Sequence, residues 1–130
     1  MIVAAALAAT PLDCLTLNIY HEARGESKQG QIAVGHVTLS RVRSKKYPNS
    51  ICEVVYQHKQ FSWTHDKISD VPKDKKLYKR IKKLSSKILR GKYKDPTYGS
   101  IYFHTTRSNP YWASKLKKTV TIGNHIFYRR

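Results

Sequence analysis

Carboxylates are few in this chain: eight Asp and Glu stand in 130 residues, against 25 Lys and Arg, which leaves a formal charge of +17. Solubility does not explain one sign in such excess, so the composition points to an anionic partner: nucleic acid, an acidic membrane or an anionic cell-envelope polymer. Long apolar runs are missing too. The most apolar stretch, Met1 to Thr10, is far shorter than the roughly 20 residues a bilayer-spanning helix needs. It has the size of a signal h-region but no Lys or Arg before it, so residues 1–12 read either as an apolar arm or helix on the domain or as an export signal. Cysteine is limited to Cys14 and Cys52. With no CxxC and no Cys/His cluster, structural zinc is not expected. Both cysteines fall on apolar faces of predicted helices, where free buried thiols are the default. A disulfide stays open for an oxidising compartment.

Other absences narrow the chemistry. His21-Glu22 begins like the zinc-protease helix, but Gly25 stands where the second histidine belongs. His58 and His65 have no ligand spacing, no G-x-S-x-G occurs, and neither cysteine has a neighbouring base. No metal or cofactor is expected. No internal repeat or long linker appears, and the length suits one domain, a monomer, over residues 13–130.

What the chain does have is two of its few acids placed four apart, Glu22 and Glu26, followed by no acid from Ser27 to Cys52. Leu12, Leu15, Ile19 and Glu22 share one helical stripe that Asp13 is placed to cap and Gly25 to end. Glu22 then lies at the helix C-terminus, where the partial negative charge and apolar neighbours disfavour ionisation. Glu26 lies ahead of the next helix, where orphan N–H groups favour a carboxylate. Two carboxyls pushed apart in pKa suit an acid catalyst and its partner. The plainer alternative is that both pair with Arg24 and nearby lysines as structure.

Along the chain, Ser27 caps a helix from Gln29 to Arg43 that is apolar on too many sides to be a surface helix. A turn at residues 47–50 caps a short helix over residues 51–56. Asp74 opens an amphipathic helix running to Arg90, and Gly91 ends it. Between Lys73 and Lys94 eleven residues are Lys or Arg and one is acidic. Asp95 to Gly99 reads as a turn and Ser100 to Thr105 as a strand. Gly123-Asn124 between two β-rich runs is a two-residue hairpin signature. The expected fold is α+β: one mainly helical domain with a small antiparallel sheet that includes a C-terminal hairpin.

Seven short motifs then occur in order. They are Tyr20 to Glu26 (Y-H-E-A-R-G-E), Gly30 to Val34, Ser40-Arg41-Val42, Phe61-Ser62, Asp95 to Gly99, Tyr102-Phe103 and Ile122 to Tyr128. The set resembles the SleB-type cell wall hydrolases, the spore-cortex-lytic and phage-lysin family, over nearly the whole chain. The resemblance implies a lysozyme-like fold and cleavage of peptidoglycan glycan strands between N-acetylmuramic acid and N-acetylglucosamine. It also implies that Glu22, the first glutamate of the E-A-R-G-E run, is the catalytic acid.

Glycosidic cleavage needs a proton for the leaving oxygen, and a hydrolase usually adds a second carboxyl. Here only Glu26 is near in sequence. A lytic transglycosylase needs one acid alone, which suits so acid-poor a chain. Ser62 and Thr64 are candidates for the N-acetyl groups or for orienting Glu22, and Phe61 and Trp63 for stacking on sugar faces. Tyr98, Tyr102 and His104 are expected to line the groove from the sheet side. Core packing is the competing role for Phe61 and Tyr98, and the expected one for Phe103 and Phe127. A nucleic-acid module is the rival class, but no helix-turn-helix, zinc finger or RNP pattern supports it, and it leaves Glu22 unused. The Lys73 to Lys94 face reads as a surface for anionic wall or lipopolysaccharide. The expected site of action is the periplasmic face of the cell wall. A phage lysin would reach it through a separate pore, an exported protein through residues 1–10.

Overall fold

The computed structural model describes residues 10–57 and 71–130. Its elements are α1 (Pro11–Ala23), α2 (Lys28–Arg43), α3 (Ile51–Val55), α4 (Lys75–Leu89), β1 (Tyr102–Thr105), a 3-10 turn (Tyr111–Lys115), β2 (Lys117–Ile122) and β3 (His125–Arg129). The sheet order is β1-β3-β2, antiparallel throughout. No described helix is long and apolar enough to cross a membrane.

Each helix starts where a short polar side chain accepts the orphan amide three residues on. Ser27 takes the N–H of Gly30 at 3.2 Å, Ser50 that of Glu53 at 3.2 Å and Asp74 that of Leu77 at 3.0 Å. At α1 the cap is Thr10, not Asp13. Thr10 accepts from the Asp13 N–H at 3.0 Å, and its hydroxyl donates to the Asp13 carboxylate at 2.7 Å. Pro11 at the first helical position strengthens this start, because its missing N–H would have had no partner there. The helix therefore takes in Pro11 and Leu12.

The core lies where α1, α2 and α4 meet one face of the sheet. Leu15, Ile19, Val34, Val37, Ile81, Ile88 and Phe127 are fully or almost fully buried. Gly35 is the point of closest approach: a Cβ there would stand 3.0 Å from Ile88 and 3.1 Å from Ile19. Phe103 pairs with Phe127 across the ladder and packs against this core, as expected. The hairpin forms at Gly123-Asn124, with φ +56° at Gly123. Strand β2 begins two residues earlier than the β-rich run and bulges at Thr119, whose hydroxyl donates to the Phe127 carbonyl at 3.1 Å.

The cysteines depart from the free-thiol expectation. Cys14 and Cys52 form a disulfide with a Cα–Cα separation of 5.3 Å, joining α1 to α3. Apolar helix faces told of burial, but the two helices' approach is a long-range fact that spacing does not carry. Closing a loop of 38 residues should stabilise the fold by about 2–4 kcal/mol, mainly through the unfolded chain. Reduction, or Cys52→Ser, should therefore lower the melting temperature by roughly 10 °C. A thermal scan with and without reductant checks this, and coincident curves would contradict it.

Candidate active site

Glu22 sits in the last turn of α1, one residue before Ala23 closes the helix. It is partly buried and accepts no hydrogen bond from any described residue. Burial raises its pKa to about 7, and the positive charge of Arg41 keeps it from rising further. The α1 end is held from several sides. Gln31 donates to the Ala23 carbonyl at 3.2 Å, Arg24 Nη1 to that of Tyr20 at 3.4 Å, and the Tyr20 hydroxyl accepts the Asp74 N–H at 3.0 Å. Asn18, one turn before Glu22, donates to Thr38 at 3.3 Å.

Arg41 was not assigned a role from the sequence. It is 3 % exposed, its Nε donates to the Ile101 carbonyl at 2.8 Å, and its guanidinium lies 5.2 Å from the ring of Tyr47 and 5.6 Å from that of Tyr102. A cation among Val37, Leu39 and Val42 in a buried helix was the available signal, since such a charge needs aromatic or carbonyl partners. Tyr47 is likewise an addition: burial and a hydrogen bond with Tyr102 push its hydroxyl up to about 12, so it stays neutral.

From Tyr102 an aromatic row continues along the outer face of the sheet. Tyr102 lies 5.2 Å from Trp112, Trp112 is edge-on to His104 and Tyr128, and His104 stacks on Tyr128 at 5.2 Å. His104 Nδ1 is 2.7 Å from the Thr105 carbonyl, which only accepts, so Nδ1 carries the proton. Nε2 is in hydrogen-bond contact with the Tyr128 hydroxyl at 2.8 Å. The structure thus links Glu22 through Arg41 to Tyr47 and Tyr102, and Tyr102 through Trp112 to His104. Tyr98 stands on the turn before β1 with φ +55° and is 67 % exposed. Phe61, Ser62, Trp63 and Thr64 lie outside the described residues, as do His58 and His65.

Glu26 is engaged elsewhere. Its Oε1 accepts the Asn124 backbone N–H at 3.0 Å and its Oε2 the Asn124 side-chain amide at 3.1 Å, across 98 residues. Partial burial pushes its pKa upward, but these two bonds and the nearby His125 outweigh that and hold it below the ordinary range. Glycine suits the position opposite: Gly123 has a left-handed φ of +56°, and a Cβ there would crowd the end of the Glu26 side chain. The carboxylate therefore closes the hairpin tip onto the α1–α2 junction. Among the described residues no group of three or more His, Cys, Asp or Glu is placed to hold a metal.

A family profile described as Cell Wall Hydrolase matches residues 25–128. The chain belongs to the cell wall hydrolase family. The profile starts three residues after Glu22. A spore cortex-lytic enzyme of Bacillus cereus is 32 % identical over 111 residues, covering 84 % of this chain and 40 % of that protein. One from Bacillus subtilis is 27 % identical over 113 residues, covering 84 % and 34 %. The chain spans about two fifths of the length of such curated relatives. Among solved structures, the catalytic domain of the germination-specific lytic transglycosylase SleB from Bacillus anthracis aligns with a TM-score of 0.76 at 28 % identity, over 92 % of this chain and 93 % of that one. The catalytic domain of the Bacillus cereus SleB protein aligns at 0.73 and 26 %, over 92 % and 89 %. The mainly helical α+β fold expected from the sequence is thus the lysozyme-like fold of this cell wall hydrolase family.

The raised Glu22 pKa has a consequence for stability. Below about pH 4.5 the carboxyl is protonated folded and unfolded alike, and its burial costs no charge. Between about 4.5 and 7 the folded state binds more protons than the unfolded one, so stability falls as pH rises. Glu22→Gln should therefore stabilise the protein at pH 8 by about 2–3 kcal/mol and leave it nearly unchanged at pH 4. Denaturant titrations at both pH values check this; equal effects at the two would remove the buried-acid reading.

Proposed function

We propose that the chain cleaves peptidoglycan glycan strands between N-acetylmuramic acid and N-acetylglucosamine as a lytic transglycosylase, with Glu22 as general acid and then base. The observation that carries this is one carboxyl held near pKa 7 by burial, with Arg41 beside it, in a chain whose only sequence-adjacent acid is bound to Asn124. The likeness to the SleB catalytic domain of Bacillus anthracis, itself a lytic transglycosylase, supports the same choice.

In this reading Glu22 gives its proton to the bridging oxygen as the bond from that oxygen to the muramic anomeric carbon breaks. Arg41 then faces the carboxylate so formed, which takes the proton of the muramic 6-hydroxyl while that oxygen closes on the anomeric carbon. The products are an N-acetylglucosamine hydroxyl end and a 1,6-anhydromuramic end. Glu22 is again protonated, and no water is consumed. A hydrolytic muramidase using Glu22 and Glu26 is the second reading. The hydrogen bonds that occupy both Glu26 oxygens weigh against it.

The aromatic row of Tyr102, Trp112 and His104 is assigned to the sugar faces, with Phe61, Ser62, Trp63, Thr64 and Tyr98 as further candidates. The exposed cations of α4 are assigned to holding the enzyme against an anionic envelope. A disulfide between Cys14 and Cys52 supports action in an oxidising compartment, the periplasmic side of the wall, reached either as an endolysin through a separate pore or by export through residues 1–10. A nucleic-acid role stands as the alternative class.

Mass spectrometry of digested sacculi tests the reaction. Anhydromuramic ends are expected, reducing muramic ends would mean hydrolysis, and intact glycan would overturn both. Glu22→Gln should lose at least about a hundredfold in rate, and wild-type activity should fall as pH rises through about 7. Adsorption to isolated envelopes should weaken from ~0.01 M to ~1 M salt, as the screening length drops from about 30 Å to about 3 Å. Adsorption indifferent to salt would remove the charge-based role.

A further inference from the structure

Five cations surround one groove whose lining comes from three segments of the chain. Arg24 enters from the end of α1, Lys28 from the start of α2, and Arg80, Lys83 and Lys87 from one face of α4. The groove encloses about 420 Å³, the size of a small-molecule site. None of the five has a carboxylate within ion-pair distance among the described residues; the ion pair found on α4 is Lys82 with Asp13 at 3.4 Å. Five like charges converging against one carboxylate raise the energy of the empty site, and an anion in the groove would relieve it.

The remaining lining narrows the kind of anion. Leu77 and Leu84 give an apolar wall, and the Tyr93 ring carries the Lys28 ammonium 5.2 Å from its centre. Glu26 adds one carboxylate to the lining. A uniformly anionic strand would meet that carboxylate with repulsion. Each Glu26 oxygen keeps a second lone pair beside its bond to Asn124, so a sugar hydroxyl or ammonium can still donate to it, while the sugar's C–H face lies on the leucines and its phosphate meets the guanidinium and ammonium groups. We propose that this groove binds a phosphorylated sugar of the cell envelope, separately from the glycan held at Glu22. The inference deepens the reading that the α4 face meets an anionic envelope, giving that face one specific pocket in place of a diffuse field.

The test is a titration of the full chain, followed by NMR, with glucosamine 6-phosphate. Glucosamine, inorganic phosphate and a short thymidine oligonucleotide serve as comparisons. The phosphosugar should saturate about tenfold more tightly than either of its parts and shift Arg24, Lys28, Arg80, Lys83 and Lys87. Arg80→Ala with Lys83→Ala should weaken it by about tenfold or more, whereas Lys75→Ala with Lys79→Ala, the same loss of charge on the same helix outside the groove, should not. All four positions are exposed on a helix, where alanine is well tolerated, so both variants should fold. Equal weakening by the two variants, equal affinity for inorganic phosphate, or tighter groove-dependent binding of the oligonucleotide would each overturn the proposal. Glu22→Gln should bind the phosphosugar like wild type, so loss of cleavage and loss of this site are read separately. Salt-dependent envelope adsorption without phosphosugar binding would leave the surface reading standing and remove the groove. Vesicles carrying a phosphorylated glycolipid, set against soluble wall fragments bearing sugar phosphate, tell which source carries the ligand.

Discussion

A buried guanidinium acting on a half-buried carboxyl is the constraint on which the rest of this structure depends. Both groups lose hydration where α1, α2 and the start of the sheet come together, and neither loss is small. Arg41 keeps its charge because the Ile101 carbonyl accepts from Nε and two tyrosine rings lie beside it. Glu22 has no comparable partner among the described residues, so burial dominates and its proton is retained to near neutrality. Without Arg41 the same burial would push the carboxyl higher still, making it a weaker acid and a poorer proton donor. Their opposition sets a pKa of about 7, and the proposed exchange of a proton in both directions rests on that balance.

Such a balance holds only if the backbone carrying Glu22 does not move, and the sheet and helices are arranged to that end. Helix α1 is tied to α3 by the disulfide at Cys14, to α2 through Asn18 and Gln31, and to the start of α4 through Tyr20. Glu26 then anchors the hairpin tip four residues beyond Glu22, which fixes the sheet relative to the helix end. A site on a helix braced from several directions keeps its geometry better than one on a loop.

What the sequence made legible was local chemistry. Ser27, Ser50 and Asp74 each cap a helix because a short polar side chain reaches the amide three residues on, and that reach is the same in any fold. Gly91 and the Gly123-Asn124 pair adopt positive φ or a tight turn for equally local reasons, and the period of Leu77, Ile81, Leu84 and Ile88 marks the buried stripe of α4. The parts of the site that sequence did not give depend on long-range contacts. The Cys14–Cys52 bridge, the Arg41 bond to Ile101 and the Glu26 bonds to Asn124 join residues 38, 60 and 98 positions apart. No spacing rule reaches that far. Thr119 shows the same limit on a smaller scale: its bulge answers to the Phe127 carbonyl across the sheet, not to its own neighbours.

The separation of the two glutamates follows from where the helix stops. Residues four apart on one continuing helix share a face, and Glu22 and Glu26 would then have sat together and repelled. Helix α1 instead ends at Ala23, with Arg24 and Gly25 turning the chain, so the second carboxylate swings to the hairpin while the first stays on the buried face. The same break places Arg24 among the cations of the α4 groove, away from the acid. In so basic a protein a carboxyl of raised pKa meets a conflict, since every nearby cation favours ionisation. Here Arg41 is the cation that acts on Glu22, and the exposed lysines of α4 point outward, where solvent screens them. The turn at Arg24-Gly25 thus divides the carboxyl of raised pKa from the surface charge.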